Sequence, residues 1–125
     1  MERFLRITKA LSDETRVRAL MAVRDRELCL CQLIDLLGLA PSTVSKHMAV
    51  LQQAGLIQRR KDGRWHFYRL ADDSATSEVK EILNWALGSL GDNPLIASDR
   101  EKVRGVCRKD LEVLAACYKT GGDPA

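Results

Sequence analysis

This chain predicts a mainly α fold of the α+β kind: a helix-turn-helix followed by a β-hairpin wing, with helices on both flanks. Three observations predict it. Apolar residues recur at helical spacing through most of the 125 residues. Gly38 and Pro41 bracket a short break between two such stretches, which is the punctuation of a tight turn between helices. Asp62-Gly63, the favoured pair for a tight hairpin, then lies between two short candidate strands, Leu56 to Arg60 and Trp65 to Leu70.

Taken in order, residues 2–10 form a first helix with Phe4, Leu5, Ile7 and Leu11 apolar. Ser12-Asp13 offers an N-cap, and a helix runs to about Arg24 with Val17, Leu20, Met21 and Val23 inward. Asp25-Arg26-Glu27 is a polar turn, and Leu28 to Leu37 is the next helix, ended by Gly38. Pro41 opens a helix that reaches about Ala54, where Gly55 stops it. At about 100° per residue, Val44, Met48 and Leu51 share its inner face. Ser42, Lys46, Ala49 and Gln53 lie opposite, Thr43 and Ser45 on the flanks, and His47 beside the apolar face.

Leu56 to Arg60 is a short strand, Lys61-Asp62-Gly63-Arg64 the hairpin tip, and Trp65 to Leu70 the return strand. Along that return strand Trp65, Phe67 and Arg69 alternate against His66, Tyr68 and Leu70. Asp72-Asp73-Ser74 opens a helical region carrying Val79, Ile82, Leu83, Ala86, Leu87 and Leu90, and Gly91 to Pro94 breaks it. Ser98-Asp99-Arg100-Glu101 reads as a capping box that starts a last helix, whose stripe is Val103, Val106, Cys107, Leu111, Leu114, Ala115 and Tyr118. Residues 1–120 are expected to form one domain and residues 121–125 a flexible tail. Two apolar stripes, Phe4-Leu5-Ile7 and Val103–Tyr118, are more than a small domain keeps exposed, so the terminal helices are expected to form a homodimer.

Net charge is +3, but residues 41–70 hold 6 Lys/Arg against 1 Asp/Glu. A basic patch on the helix-turn-helix segment is the footprint of phosphate contact, so double-stranded DNA is the expected partner. Small and polar residues near the start of an exposed helix suit a major groove, and a basic wing suits a flanking groove or backbone. The candidate DNA-binding residues are Ser42, Thr43, Ser45, Lys46, His47, Arg59, Arg60, Lys61 and Arg64. For His47 a place packed at the core edge is an equal alternative. No apolar run approaches the ~20 residues of a membrane span, and no signal-peptide segment opens the chain, so a cytoplasmic location is expected. No nucleophile–base–acid set or phosphate loop argues for an enzyme.

Residues 27–33, Glu-Leu-Cys-Leu-Cys-Gln-Leu, resemble the ELCVCDL signature of the arsenical-resistance repressor family, ArsR/SmtB. Residues 40–70 resemble its winged helix-turn-helix through Ser45-Lys46-His47, the Leu51-x-x-x-Gly55-Leu56-Ile57 turn and the Arg60-Lys61-Asp62-Gly63-Arg64-Trp65 wing. The match covers roughly residues 8 to 70, and the C-terminal third matches only as a helix or two. The resemblance implies a homodimeric repressor of operator DNA that lets go when a metal or metalloid ion binds, most like the arsenite sensors. Their usual third cysteine falls where this chain has Ile34. A zinc site on the last helix is not expected, because the two histidines are His47 and His66.

With As(III) or Sb(III) as the implied inducer, Cys29 and Cys31 are the expected thiolate ligands, since soft centres select thiolates. Cys107 or Cys117 would supply the third sulfur, although either also reads as core or interface packing. On one ideal helix Cys29 and Cys31 lie about 200° apart, so ligation would require a bent or unwound helix start, and that distortion is the expected switch. On one continuous last helix Cys107 and Cys117 stand about 15 Å apart. Two other functions stay open: a thiol redox or persulfide sensor of the same fold, and an architectural DNA-binding protein without a ligand.

Overall fold

The computed structural model describes residues 1–117, the side chain of Cys117 excepted. The expected tail at 121–125 and Tyr118 lie outside the described residues. The elements are α1 (Glu2–Ala10), α2 (Glu14–Ala22), β1 (Leu28–Cys29), α3 (Leu30–Leu37), α4 (Pro41–Gln53), β2 (Ile57–Asp62), β3 (Trp65–Leu70), α5 (Ser77–Leu90), α6 (Pro94–Cys107) and α7 (Leu111–Cys117). The fold is mainly α, with a helix-turn-helix and a hairpin wing.

Local signals account for most boundaries. Asp13 caps α2, its carboxylate accepting from the Arg16 N–H at 3.1 Å. Gly38 ends α3 in the left-handed region at φ 67°, which only glycine adopts without strain. Pro41 opens α4 at a position whose N–H has no helical partner in any case. The inner face of α4 is as expected: Val44, Met48 and Leu51 are fully buried. They meet Leu20 and Val23 of the α2 region, Leu33 and Ile34 of α3, and Leu56, in one apolar core. Each such side chain contributes about 1.5–3 kcal/mol by leaving water.

Six expectations are corrected. Leu28 and Cys29 are not the first turn of a helix. They form β1, which pairs antiparallel with β3 as Leu28↔Tyr68 and Cys29↔Phe67. The sheet therefore has three strands in the order β1-β3-β2. Apolar residues at 28–30 suit either element, and the unpaired edge of β3 decides for strand. The hairpin is also shorter at its tip: Asp62 pairs with Trp65, so Gly63 and Arg64 make the turn, with Gly63 at φ 60°.

The helix α5 begins after Thr76, whose hydroxyl accepts from the Val79 N–H at 3.3 Å, and Asp72 instead closes a turn on the Ser74 N–H at 2.9 Å. Residues 98–101 do not start a helix. Asn93 caps α6, accepting from the N–H groups of Leu95 at 3.0 Å and Ile96 at 3.3 Å, and Pro94 takes the first position. Asp99 is thereby carried into mid-helix and buried. Its two oxygens accept from Arg18 Nε at 2.8 Å and NH2 at 2.9 Å, which fastens α6 to α2.

The last helix is not continuous. It stops at Cys107, and Asp110 caps α7 by accepting from the Glu112 N–H at 2.7 Å. Val103, Val106 and Leu114 of the C-terminal stripe are buried within the chain, so those residues are not a free dimerisation face. Val103 joins the main core. Val106 and Leu114 join a smaller cluster around the two N-terminal cysteines.

Candidate thiol site and nucleic-acid interface

Cys29 is the last residue of β1 and the N-cap of α3, with extended backbone at φ −73°, ψ 153°. Cys31 lies in the first turn of α3. Because the chain changes from strand to helix between them, the two side chains are not on opposite sides of one helix. Their sulfurs are 3.2 Å apart, with the Cys31 thiol donating to Cys29 Sγ. The expectation that ligation must unwind a helix is therefore overturned: the folded chain already holds the pair together. Gln32 braces the junction, its side-chain oxygen accepting from the Cys29 N–H at 2.7 Å.

Both cysteines are fully buried. Val106 of α6, Leu111 and Leu114 of α7, and Trp65 and Phe67 of β3 pack around them. Two ion pairs pin this cover. Lys109 Nζ is 2.8 Å from Asp35 on α3, and Arg64 at the wing tip is bonded to Glu112 on α7. The Arg64 guanidinium also lies over the Trp65 ring, 4.7 Å from its centroid.

The hydrogen bond from Cys31 lowers the Cys29 thiol to about 7, against the opposing effect of burial, and backbone N–H groups of Cys31, His66 and Leu30 add to the lowering. The same hydrogen bond pushes Cys31 up, with burial and the neighbouring Cys29 charge acting in the same direction. Cys29 is thus partly thiolate at neutral pH, while Cys31 stays a thiol. As a ligand set the pair offers two soft sulfurs.

The other two cysteines stand differently. Cys107 is half-buried and packs against the main core, not in the cluster around Cys29 and Cys31. The Cys117 side chain lies outside the described residues. Among the described residues no group of three or more His, Cys, Asp or Glu could hold a metal ion.

On α4, Ser42, Thr43 and Lys46 are exposed, as are Ala49 and Gln53, and Ser45 is half-buried. His47 is half-buried too, and its Nδ1 is 3.2 Å from the Arg16 guanidinium. An arginine N–H can only donate, so Nδ1 accepts, which ties His47 to α2. The wing divides. Arg59 and Lys61 are exposed. Arg60 is engaged by Glu27 at 2.6 and 3.1 Å and lies over Phe67 at 4.6 Å, and Arg64 is engaged by Glu112. Sequence reasoning missed Gln32, Glu112 and the two leucines of α7 as parts of the thiol site. It did place Trp65 and Phe67 on one face of a strand, which is the face the thiols meet.

A helix-turn-helix with an exposed polar helix, a basic wing and a three-stranded sheet defines a winged helix-turn-helix DNA-binding regulator. The family model for bacterial regulatory proteins of the arsR family matches residues 13–59, from the cap of α2 into β2. The chain is 37% identical over 83 residues to the uncharacterized HTH-type transcriptional regulator MJ1325 of Methanocaldococcus jannaschii, covering 66% of this chain and 89% of that one. It is 37% identical over 94 residues to the arsenic resistance transcriptional regulator ArsR2 of Pseudomonas putida, covering 71% and 81%. Among solved structures, the homodimeric winged helix-turn-helix DNA-binding domain Mb0332 of Mycobacterium bovis superposes with a TM-score of 0.61 at 20% identity, over 74% of this chain and 82% of that one. The chain belongs to the arsR family of bacterial regulatory proteins, which are transcriptional regulators and not enzymes. No helix among the described residues is long and apolar enough to cross a membrane.

Proposed function

We propose that this protein is a repressor that binds operator DNA as a homodimer and is released when trivalent arsenic or antimony binds Cys29 and Cys31. The observation that carries the proposal is the 3.2 Å contact between two buried sulfurs at the β1–α3 junction. The junction touches both DNA-facing elements. β1 is paired to wing strand β3, and α3 packs on α4. A centre that draws the sulfurs into its own geometry therefore strains the wing and the reading helix together. Taking operator occupancy from 99% to 1% needs about 5.5 kcal/mol of differential affinity between the two states.

For DNA, the proposal assigns Ser42, Thr43, Ser45 and Lys46 to the major groove and Arg59 and Lys61 to the backbone beside it. Arg60 and Arg64 would reach phosphate only after leaving Glu27 and Glu112, and His47 acts by holding α4 against α2. For the dimer it assigns α1, where Phe4 and Leu5 are 63% and 54% exposed, together with α5, where Trp85 is 66% exposed. Arg3 and Glu78, 3.0 Å apart, bridge those two helices.

The test is fluorescence anisotropy of labelled operator under anaerobic reducing conditions. Arsenite or antimonite should release the wild type and fail to release Cys29→Ser and Cys31→Ser, because an alcohol oxygen is a poor ligand for a soft centre. Normal release from both variants would overturn the proposal. A second reading, a thiol redox sensor, is favoured by the thiolate–thiol pairing. It predicts release by oxidant and none by metalloid under full reduction.

A further inference from the structure

The helix α6 packs on α2, and a cavity of about 200 Å³ remains between α6, the end of α2 and the loop after it. The floor of this cavity is apolar: Met21 of α2 and Ile96 and Val103 of α6 are buried. The rim is cationic. Arg24 and Arg26 come from the loop that leads into β1, and Arg100 and Arg104 come from α6. Helical spacing explains the α6 side, since positions 96, 99, 100, 103 and 104 recur every three or four residues and share the face turned to α2.

Two carboxylates line the same cavity, and both are engaged. Asp99 is buried and accepts from Arg18 with both oxygens. Asp25 is shared between Arg24 at 3.6 Å and Arg100 at 3.0 Å. Arg104 is held by Glu101, but both side chains are more than half exposed, so that pair is weak. Arg26 is exposed and makes no ion pair among the described residues. Four guanidinium groups thus face one shared carboxylate.

Such a rim repels cations. A guanidinium fork matches a carboxylate with two parallel hydrogen bonds. The floor selects for something more than charge, because an apolar body gains by covering Met21, Ile96 and Val103, and a bare inorganic anion does not. The cavity is smaller than the roughly 300–1,000 Å³ of pockets for drug-sized ligands, so its occupant is small.

We propose that this cavity binds one small organic carboxylate, with its charged end among Arg26, Arg100 and Arg104 and its apolar body on Met21, Ile96 and Val103. The site is separate from the thiol pair and does not rest on the sensor reading. It stands beside that pair in the chain: Arg26 is three residues before Cys29, and α6 continues to Val106, which packs on the thiols. An occupant therefore ties the loop that feeds β1 to the helix that covers Cys29 and Cys31.

The test is isothermal titration calorimetry of the reduced full chain at fixed ionic strength, with benzoate as the probe. The expected result is saturable binding of one benzoate per chain. Benzamide keeps the shape without the charge, and acetate keeps the charge without the apolar body. Each should bind at least about tenfold more weakly than benzoate. The Arg26→Gln, Arg104→Gln double variant should lose a similar factor for benzoate. Both side chains are exposed, so its circular dichroism and its operator affinity should match the wild type. Absence of saturable benzoate binding, equal binding of either control, or unchanged benzoate affinity in the double variant would overturn the proposal.

Discussion

The reading helix α4 and the thiol site are built from opposite kinds of information. Along α4 every relevant residue lies within 13 positions, and a helical wheel sorts inner from outer. The thiol site joins β1 to a strand 38 residues further on and to α7, more than 80 residues on. Local periodicity shows which side of an element is apolar. It does not show which other element will land there. Disturbing the two regions separately should therefore give different signatures: α4 in affinity with the fold intact, and the C-terminal cover in stability and in thiol chemistry.

The largest expected effect concerns the docking of α6, on which the cover depends. Asp99 is 3% exposed and holds Arg18 with two hydrogen bonds. Removing one partner of a buried ion pair leaves the other charge without compensation, which costs about 3–5 kcal/mol. Asp99→Ala should lose that much in urea unfolding. A loss below about 1 kcal/mol would mean that α6 does not dock on α2 as described.

The contrasting case is Lys46→Ala. Lys46 is exposed, so stability should stay within about 0.5 kcal/mol. If it contacts phosphate, operator affinity falls and the slope of log K against log salt shrinks by about 1. An unchanged slope would take Lys46 off the DNA backbone.

Much of the fold was legible for the reason this contrast gives. The core face of α4, the cap at Asp13, the stop at Gly38 and the alternation of Trp65 and Phe67 are all local signals. The boundaries that went wrong were those where two local signals competed or a distant partner decided. Ser98–Glu101 has the pattern of a capping box, yet Asn93-Pro94 is an equally good start five residues earlier, and burial of Asp99 against Arg18 favours it. Leu28-Cys29 suits helix or strand, and the edge of β3 decides. At the site, the residue types of Cys29 and Cys31 were readable, but their contact was not. A spacing of two looks divergent on a helix and convergent across a strand–helix junction.

The thiol pair itself gives the next prediction. Cys29 is lowered to about 7 chiefly because Cys31 donates to it. In Cys31→Ala that donor is gone, and thiolate absorbance should show Cys29 titrating higher, toward the ordinary thiol range near 8.5. The sign for stability follows. A thiol whose folded pKa is depressed stabilises the fold above its unfolded pKa and loses that contribution as pH falls through the folded value. Relative to Cys31→Ala, the wild type should therefore gain stability as pH rises from about 7 to about 8.5. An identical pH dependence in both proteins would deny the sulfur–sulfur hydrogen bond.

The smallest expected effect tests whether the two regions communicate. Arg64 sits at the tip of the wing, over Trp65, and is bonded to Glu112 of α7. Both side chains of that pair are more than half exposed, so the bond adds little to stability, in the range of about 0–1 kcal/mol. Its geometry matters more than its strength, because a guanidinium held by a carboxylate is not free for phosphate. Glu112→Gln removes the charge and keeps the shape. Operator affinity should rise about two- to fivefold, with a steeper salt dependence, because one more cation becomes available to the DNA backbone. The double variant with Arg64→Ala should erase the gain, which separates this route from a general rise in positive charge. An equal gain with and without Arg64 would mean that α7 and the wing tip act independently, and that the thiol site reaches DNA only through β1 and α3.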